Sequence, residues 1–305
     1  MTDKVIKALA LDGRVLITLA DTKNLAEEIK KIHDLTPTTT AIAGRIATIM
    51  TMMVHTSIKE EQNSITAQIK GNGPVGSVVT VGNLDKDIAK IKLYMQDNKV
   101  ELPLKENGKI DVGGAVGNTG YLNIIKENSI TKQNYTGMVP LVSGEIAEDF
   151  TKYFATSEQK PTVIALGVLV NKDGVDKSGG YMINLMPDAT DEDIEKIEKA
   201  LDKADSISKM LADGKSLEEI AKIVTGDENL KIIEDDLKAE YECSCSIEKI
   251  KNGIILLGKE ELEKIFSDQD SINVKCQFCN KEYDFVKEDF EEFLNSLRRK
   301  LWNIL

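Results

Sequence analysis

The chain has 305 residues, of which 41% are hydrophobic, a formal net charge of −12 and only four cysteines. It is long enough to bury a sizeable core and to form more than one domain. Charged residues interrupt the apolar N-terminal segment, which excludes a secretory signal peptide. The most apolar stretch, residues 41–54, contains Arg45 and is too short to cross a bilayer. We therefore expect a cytoplasmic protein with no membrane partner, whose cysteines stay reduced.

The negative charge is concentrated in residues 188–240, which hold 17 acidic and 8 basic residues. Residues 1–187 hold 21 of each. An acidic surface repels phosphate backbones, so the charge pattern predicts no nucleic-acid partner.

Residues 1–187 are predicted to form an α+β core domain with a mixed sheet, because runs of strands are separated by isolated helices. Apolar periodicity predicts one helix over residues 39–55 and another over residues 144–155, the second started by Ser143. The strands show period-two alternation between glycine-rich turns. They are predicted at KVIKALAL (4–11), GRVLITLA (13–20), SITAQIK (64–70), GSVVTV (76–81), VIALGVLV (163–170) and YMINLM (181–186).

The glycine run GNGPVG, residues 71–76, matches a dinucleotide-binding pattern, but both of its flanks are predicted strands. Pro74 also lacks the N–H that would bind a phosphate. A hairpin turn is therefore the better interpretation. No segment resembles a P-loop, so ATP-driven work is not expected.

The acidic residues 188–240 are predicted to form a helical linker. Thr190 with Asp193, and Ser216 with Glu219, have the spacing of a helix N-cap and its acidic N3 partner. The apolar stripes that follow are narrow, so we expect these helices to pack weakly and on one surface only.

The cysteines form two close pairs, C-x-C and C-x-x-C, separated by thirty residues. Four thiolates in this pattern suit a tetrahedral zinc ion, so Cys243, Cys245, Cys276 and Cys279 are candidate ligands of one zinc. Residues 241–290 would then be a zinc module. Because so short a segment has little core, the metal would supply much of its folding free energy.

The spacing leaves the use of this site open. The zinc could be a static structural ion. Alternatively, cysteines two or three positions apart could form local disulfides, which would remove all four ligands and make the site an oxidation switch.

Two rival functions involve the same cysteines. A thiol-disulfide oxidoreductase would need only one C-x-x-C pair, on a strand-to-helix turn. A zinc ribbon that binds nucleic acid would need basic residues around the ligands, whereas residues 241–290 hold 11 acidic and 7 basic residues.

The motif C-S-C-S…C-Q-F-C-N-K-x-Y-x-F resembles that of the redox-regulated holdase chaperones called the 33 kDa chaperonin, or heat-shock protein 33, family. Residues 135–168, GNGPVG, and GGYMINLMP at 179–187 are also similar to the core of that family. The resemblance reaches to about Phe290 and favours the switch over the static site. Lys249 stands where the family would have arginine, a departure that leaves the ligand set intact.

The resemblance implies an ATP-independent holdase and not an enzyme. Cys243, Cys245, Cys276 and Cys279 would bind one Zn²⁺ per chain while reduced. On oxidation Cys243 would pair with Cys245, and Cys276 with Cys279, with release of the metal. The linker would then unfold and expose an apolar surface that binds unfolding client proteins, and the active form would be a homodimer. No sequence feature indicates which surface binds clients.

Residues 291–305 are predicted to be an amphipathic tail that packs on the fold as a terminal helix. Its apolar residues are Phe293, Leu294, Leu297, Leu301 and Trp302.

Overall fold

The protein is described by a computed structural model that covers residues 3–58, 60, 63–128 and 130–295. The chain divides into two compact units between Glu242 and Cys243. A large mixed sheet with helices forms the first unit, and a two-stranded sheet lies in the second, which confirms the predicted fold class. Within the described ranges, no helix combines the length and the apolar character needed to span a membrane.

The first unit is built on a ten-stranded sheet whose neighbours are antiparallel except for one parallel pair, β5 with β10. The order across the sheet is β7-β6-β3-β4-β5-β10-β1-β2-β9-β8. These strands are β1 (Lys4–Ala10), β2 (Val15–Asp21), β3 (Ser64–Lys70), β4 (Ser77–Asp85), β5 (Ile88–Met95), β6 (Tyr121–Asn128), β7 (Gln133–Pro140), β8 (Thr162–Asn171), β9 (Gly174–Leu185) and β10 (Lys231–Tyr241).

All six predicted strands are present, and β5, β6, β7 and β10 were missed. Strands β7 and β10 share a physical reason for this, since most of their side chains are exposed. A strand that buries few side chains need not alternate apolar with polar residues, so it carries little period-two signal.

The predicted GNGPVG hairpin turn is confirmed, because it joins β3 to β4 and Lys70 pairs with Ser77 across it. A Cβ atom on Gly71 would lie 2.0 Å from the carbonyl oxygen of Val116. Gly76 has a φ of +71°, a conformation that favours glycine. These glycines therefore allow close backbone packing and a tight turn.

In the described part of the first unit, seven helices pack on the sheet or its loops. They are α1 (Lys23–His33), α2 (Pro37–Ser57), α3 (Val112–Val116), α4 (Ala147–Tyr153), α5 (Asp191–Leu201), α6 (Ile207–Ala212) and α7 (Leu217–Thr225).

Helix α2 is the centre of the larger core and confirms the helix predicted over residues 39–55, with two more residues at each end. Thr36 and Thr39 cap it reciprocally, and Pro37 occupies its first turn. Its side chains are buried nearly all round. Such a helix needs apolar surroundings on every side, which the sheet, α1 and the loops supply.

The helix predicted over residues 144–155 starts later than expected, at Ala147, and Ser143 does not cap it. The buried carboxylate of Asp149 accepts hydrogen bonds from the backbone N–H groups of Val142, Ser143 and Ile146. These bonds hold the preceding residues in a loop around Asp149. Residues 154–158 continue the helix as a π-turn.

The predicted linker, residues 188–240, contains the three helices α5, α6 and α7, and both capping boxes are present. The helices pack on the face of the sheet opposite to α2. The segment is not helical throughout, because β10 inserts between β5 and β1 and joins the two halves of the sheet.

Helix α5 is also tied to the β1–β2 turn by a bidentate ion pair. Arg14 donates from Nε and Nη2 to the two carboxylate oxygens of Asp193, at 2.7 and 3.0 Å. The same carboxylate accepts from the N–H and hydroxyl of Thr190. The N3 residue of the α5 capping box, Asp193, therefore also anchors this helix to the β1–β2 turn.

The second unit contains α8 (Ile247–Ile255), α9 (Lys259–Asp268), β11 (Ser271–Lys275) and β12 (Glu282–Val286), and the strands form an antiparallel hairpin. Of the predicted tail, residues 291–295 are helical and Leu294 is buried. Leu297, Leu301 and Trp302 lie outside the described residues.

Candidate metal centre

Cys243 and Cys245 lie in the extended segment that precedes α8. The Ser246 side chain begins this helix by accepting a hydrogen bond from the backbone N–H of Lys249 at 3.2 Å. The Lys249 ammonium turns back and donates to the carbonyl of Ser244 at 2.7 Å. Lys249, noted in the sequence only as a departure from the family, thus helps to hold the C-x-C loop in shape.

Cys276 and Cys279 lie in the turn between β11 and β12. The N–H of Cys276 donates to the carbonyl of Lys281 at 2.9 Å, and the N–H of Asn280 donates to the carbonyl of Cys276 at 2.8 Å. Asn280 has a φ of +60°, which reverses the chain within a few residues. The backbone of the turn therefore fixes the separation of this cysteine pair.

The structure brings all four predicted ligands together. Their Sγ atoms lie within 4.8 Å of one another, and all four are free thiols. The Sγ atoms of Cys243 and Cys276 are 3.7 Å apart, and those of Cys245 and Cys279 are 3.4 Å apart. A tetrahedral zinc with Zn–S bonds of about 2.3 Å would separate its sulfurs by about 3.8 Å. The cluster is therefore capable of holding a metal ion.

A small apolar core packs against the four cysteines. Cys276 is itself buried in this core, and the Phe290 ring packs on Phe266 and Phe285 with centroids 5.7 and 5.8 Å away. Tyr283 is buried too, and its hydroxyl donates to Sγ of Cys245 at 3.1 Å. Sequence reasoning missed this contact, because cysteine spacing says nothing about which aromatic hydroxyl will reach a sulfur.

The environment separates the acidities of the thiols. Burial raises the pKa of Cys243 to about 12, against the lowering effect of the Cys245 backbone N–H. Burial raises the pKa of Cys245 as well, but the hydrogen bond from Tyr283 and the neighbouring thiols lower it to about 7. The lowered pKa of Cys245 favours its thiolate form, which suits a site for a cation.

Comparison with known proteins assigns this architecture to a family. The family model described as "Hsp33 protein" matches residues 3–286, from the first strand through β12. The chain belongs to the Hsp33 family.

Hsp33 relatives align with the chain along almost its whole length. It is 41% identical over 295 residues to the 33 kDa chaperonin of Caldanaerobacter subterraneus subsp. tengcongensis, covering 96% of this chain and 98% of that protein. It is 39% identical over 297 residues to the 33 kDa chaperonin of Clostridioides difficile, covering 97% and 100%.

A solved Hsp33 structure also shares the fold. The crystal structure of the 33 kDa chaperonin, or heat shock protein 33 homolog, of Thermotoga maritima superposes with a TM-score of 0.86 at 31% identity. The match covers 98% of this chain and 100% of that one. The predicted family is therefore confirmed, and the protein is a chaperone of the non-enzymatic Hsp33 type. Its four-cysteine cluster is consistent with the redox-regulated holdase activity expected from the sequence.

Proposed function

We propose that the protein is an ATP-independent holdase that is inactive with one Zn²⁺ bound per chain and is activated when an oxidant removes the metal's ligands. The observation that carries this proposal is the cluster of four sulfurs within 4.8 Å of one another. An all-sulfur tetrahedral set favours zinc over the harder cations, and a bound zinc would neutralise part of the negative charge of the thiolates. Cys243, Cys245, Cys276 and Cys279 would each supply one thiolate.

The oxidation step requires a two-electron oxidant of the peroxide class. One thiolate attacks a peroxide oxygen, the O–O bond breaks, and hydroxide leaves, so that the cysteine becomes a sulfenic acid. Its partner thiolate then attacks that sulfur, a disulfide forms, and a second hydroxide leaves. Each disulfide therefore consumes two thiolates and one peroxide.

We assign the disulfides as Cys243–Cys245 and Cys276–Cys279. The two short sulfur–sulfur contacts, at 3.7 and 3.4 Å, join sulfurs of different pairs, so proximity in the folded cluster would also permit cross-linking. Once the metal is lost, the thirty-residue connection is free to move. Sequence neighbours then have the highest effective concentration, because loop-closure entropy rises with loop length.

Strand β10 is the element through which unfolding around the cysteines would affect the first unit. This strand ends two residues before Cys243, and of its side chains only Leu237 and Ala239 are buried. The buried Lys90 ammonium holds its end by pairing with Glu240 and with Glu242. A strand with so few buried side chains is poorly equipped to stay in the sheet when the chain beyond it unfolds.

Release of β10 would loosen the helices that precede it, α5 to α7. These helices cover an apolar face of β1, β2 and β9. That face is our candidate for the client-binding surface, because a holdase must keep its apolar surface covered until it is needed. It consists of Ile6, Ala8, Ala10, Val15, Ile17, Leu19, Tyr181 and Ile183.

Unfolding proteins are the expected partners, because they expose apolar side chains that this face can bind. No nucleotide is required for such binding. We further propose that the oxidised protein is a homodimer, since two exposed faces of this kind would associate, and that it acts in the cytoplasm, where thiols start reduced.

The experiment compares reduced, peroxide-oxidised and re-reduced protein. We expect one zinc per chain in the reduced form, its release on oxidation, and suppression of light scattering by a heat-denatured client only in the oxidised form. Sedimentation measured alongside should show a dimer only after oxidation. Equal protection by reduced and oxidised forms would overturn the switch, and full zinc retention in both Cys243→Ser and Cys279→Ser would overturn the four-thiolate site.

A further inference from the structure

Tyr283 is placed against the metal centre by the β11–β12 hairpin. It pairs with Val274 across the ladder, its side chain is buried in the core of the second unit, and its hydroxyl lies 3.1 Å from Sγ of Cys245. The Lys281 ammonium lies over the ring, 5.2 Å from its centroid. This cation–π contact helps to fix the position of the ring.

The four sulfurs differ in the hydrogen-bond donors that the protein places against them. Backbone N–H groups face two of them, that of Cys245 towards Cys243 and that of Lys281 towards Cys279. Within the described part of the chain, Cys245 is the cluster sulfur that accepts from a side-chain hydroxyl. Changing this tyrosine to phenylalanine would remove the hydrogen bond and leave the backbone intact.

We propose that Tyr283 is a positioning residue for the redox switch: its hydroxyl holds the Cys245 sulfur in place as a metal ligand and slows its attack on peroxide. The inference rests on the proposed function, because it concerns the reactivity of one of the proposed ligands. A sulfur lone pair must form the new S–O bond as the O–O bond breaks and hydroxide leaves. In the zinc-loaded protein the sulfur would be a thiolate with or without the Tyr283 hydroxyl, so the hydrogen bond would not change its ionisation. The hydrogen bond stabilises the charge that the attack consumes, so it weakens in the transition state and the barrier rises.

The Tyr283 hydroxyl would therefore lower the rate of reaction with peroxide at Cys245 and leave the rates at the other three cysteines unchanged. Removal of the hydroxyl should raise the rate at Cys245 alone by about three- to tenfold, as expected if roughly half of a charge-assisted hydrogen bond is lost on the way to the transition state. The ring itself should remain packed on the core, since phenylalanine keeps every carbon of tyrosine. A change confined to one sulfur therefore separates a hydrogen-bonding role from a general loosening of the unit.

The test is the Tyr283→Phe variant of the full chain, loaded with zinc and treated with a short pulse of limiting hydrogen peroxide. A cyclic diketone present during the pulse traps sulfenic acids, and mass spectrometry of the peptides gives the fraction trapped at each cysteine. We expect trapping at Cys245 to rise three- to tenfold relative to Cys243, and a chromophoric chelator to report faster zinc release. The matched control is Tyr135→Phe, which removes an exposed hydroxyl from the first unit.

Unchanged trapping at Cys245, or an equal rise at all four cysteines, would overturn the role of Tyr283. Wild-type protein that binds no zinc, or that keeps it after complete oxidation, would instead overturn the proposed function. The two failures are therefore distinguished by the zinc content of the wild-type protein, measured in the same experiment.

Discussion

The two units of the molecule achieve order by different means. In the first unit, α2 is buried on nearly all sides by the sheet, and the apolar cluster around it extends through most of the strands. In the second unit, α8 and α9 each bury a single residue, Ile254 and Leu262, and the core beneath the cysteines is small. We therefore expect the first unit to be stabilised mainly by apolar burial and the second to depend on a metal held by its sulfur cluster.

Under the proposed function, this difference would let an oxidant act selectively. All four cysteines lie in the second unit, so their oxidation would change covalent bonds only there and would leave the large core around α2 untouched. Helices α5 to α7 are intermediate, because they bury one stripe each against the sheet and expose the rest. Unfolding that starts at the cysteines should therefore not extend into the core around α2.

Removal of one proposed zinc ligand should affect the second unit strongly and leave the first intact. In Cys276→Ser we expect loss of zinc and unfolding of the second unit, since metal-coupled folding contributes about 10–16 kcal/mol in small zinc modules. Hydrogen exchange should become fast in β11, β12 and α8 and stay slow in α2. Ser244→Ala, which changes a residue between two ligands, is the control. Protected β11 and β12 amides in zinc-free Cys276→Ser protein would contradict the prediction.

A second substitution tests the partly buried helices α5 to α7. Ile220 in α7 is fully buried against the sheet, and Ile220→Ala should cost about 2–5 kcal/mol of stability. We expect this variant to protect a denatured client partially without oxidant, because the cover over the proposed client-binding face is loosened. Ile223→Ala on the same helix removes a 36%-exposed side chain and should change stability by about 0.5 kcal/mol or less. Equal behaviour of the two variants in urea unfolding and client assays would show that α7 does not cover that face.

We expect the smallest effect on stability from loss of the Arg14–Asp193 ion pair that holds α5. Hydrogen bonds from Arg14 and Thr190 hold the pKa of Asp193 well below its usual range. A depressed carboxyl pKa stabilises the folded state above the unfolded pKa of about 3.9, and this contribution is lost as the pH falls towards the folded pKa. Asp193→Asn should therefore unfold at a lower temperature than wild type at pH 7, with a difference that shrinks in strong acid.

Asp191→Asn, in the same helical turn but outside the Arg14 ion pair, is the control for Asp193→Asn. A thermal shift for Asp193→Asn that is the same at pH 7 and at pH 3 would assign the effect to capping geometry and not to the ion pair.

Local patterns in the sequence determined a large part of this fold and of its site. Two cysteine pairs, with no other cysteine in the chain, were sufficient to name the four side chains that the structure brings together. The capping boxes at Thr190 and Ser216 predicted where α5 and α7 begin. Period-two alternation found six strands. Each of these signals is complete within a few residues, because caps, turns and pleats are governed by neighbours in the chain.

Only the tertiary structure decided which distant segments meet. The acidic strand β10 lies in the middle of the sheet although its own side chains are mostly exposed, because its backbone completes the hydrogen bonding of β1 and β5. Asp149 delays the start of α4 by binding the loop before it, and the Tyr283 hydroxyl reaches Cys245 across thirty-eight positions. Such partners are selected by the free energy of the whole packed unit. No pattern of neighbouring residues records that choice.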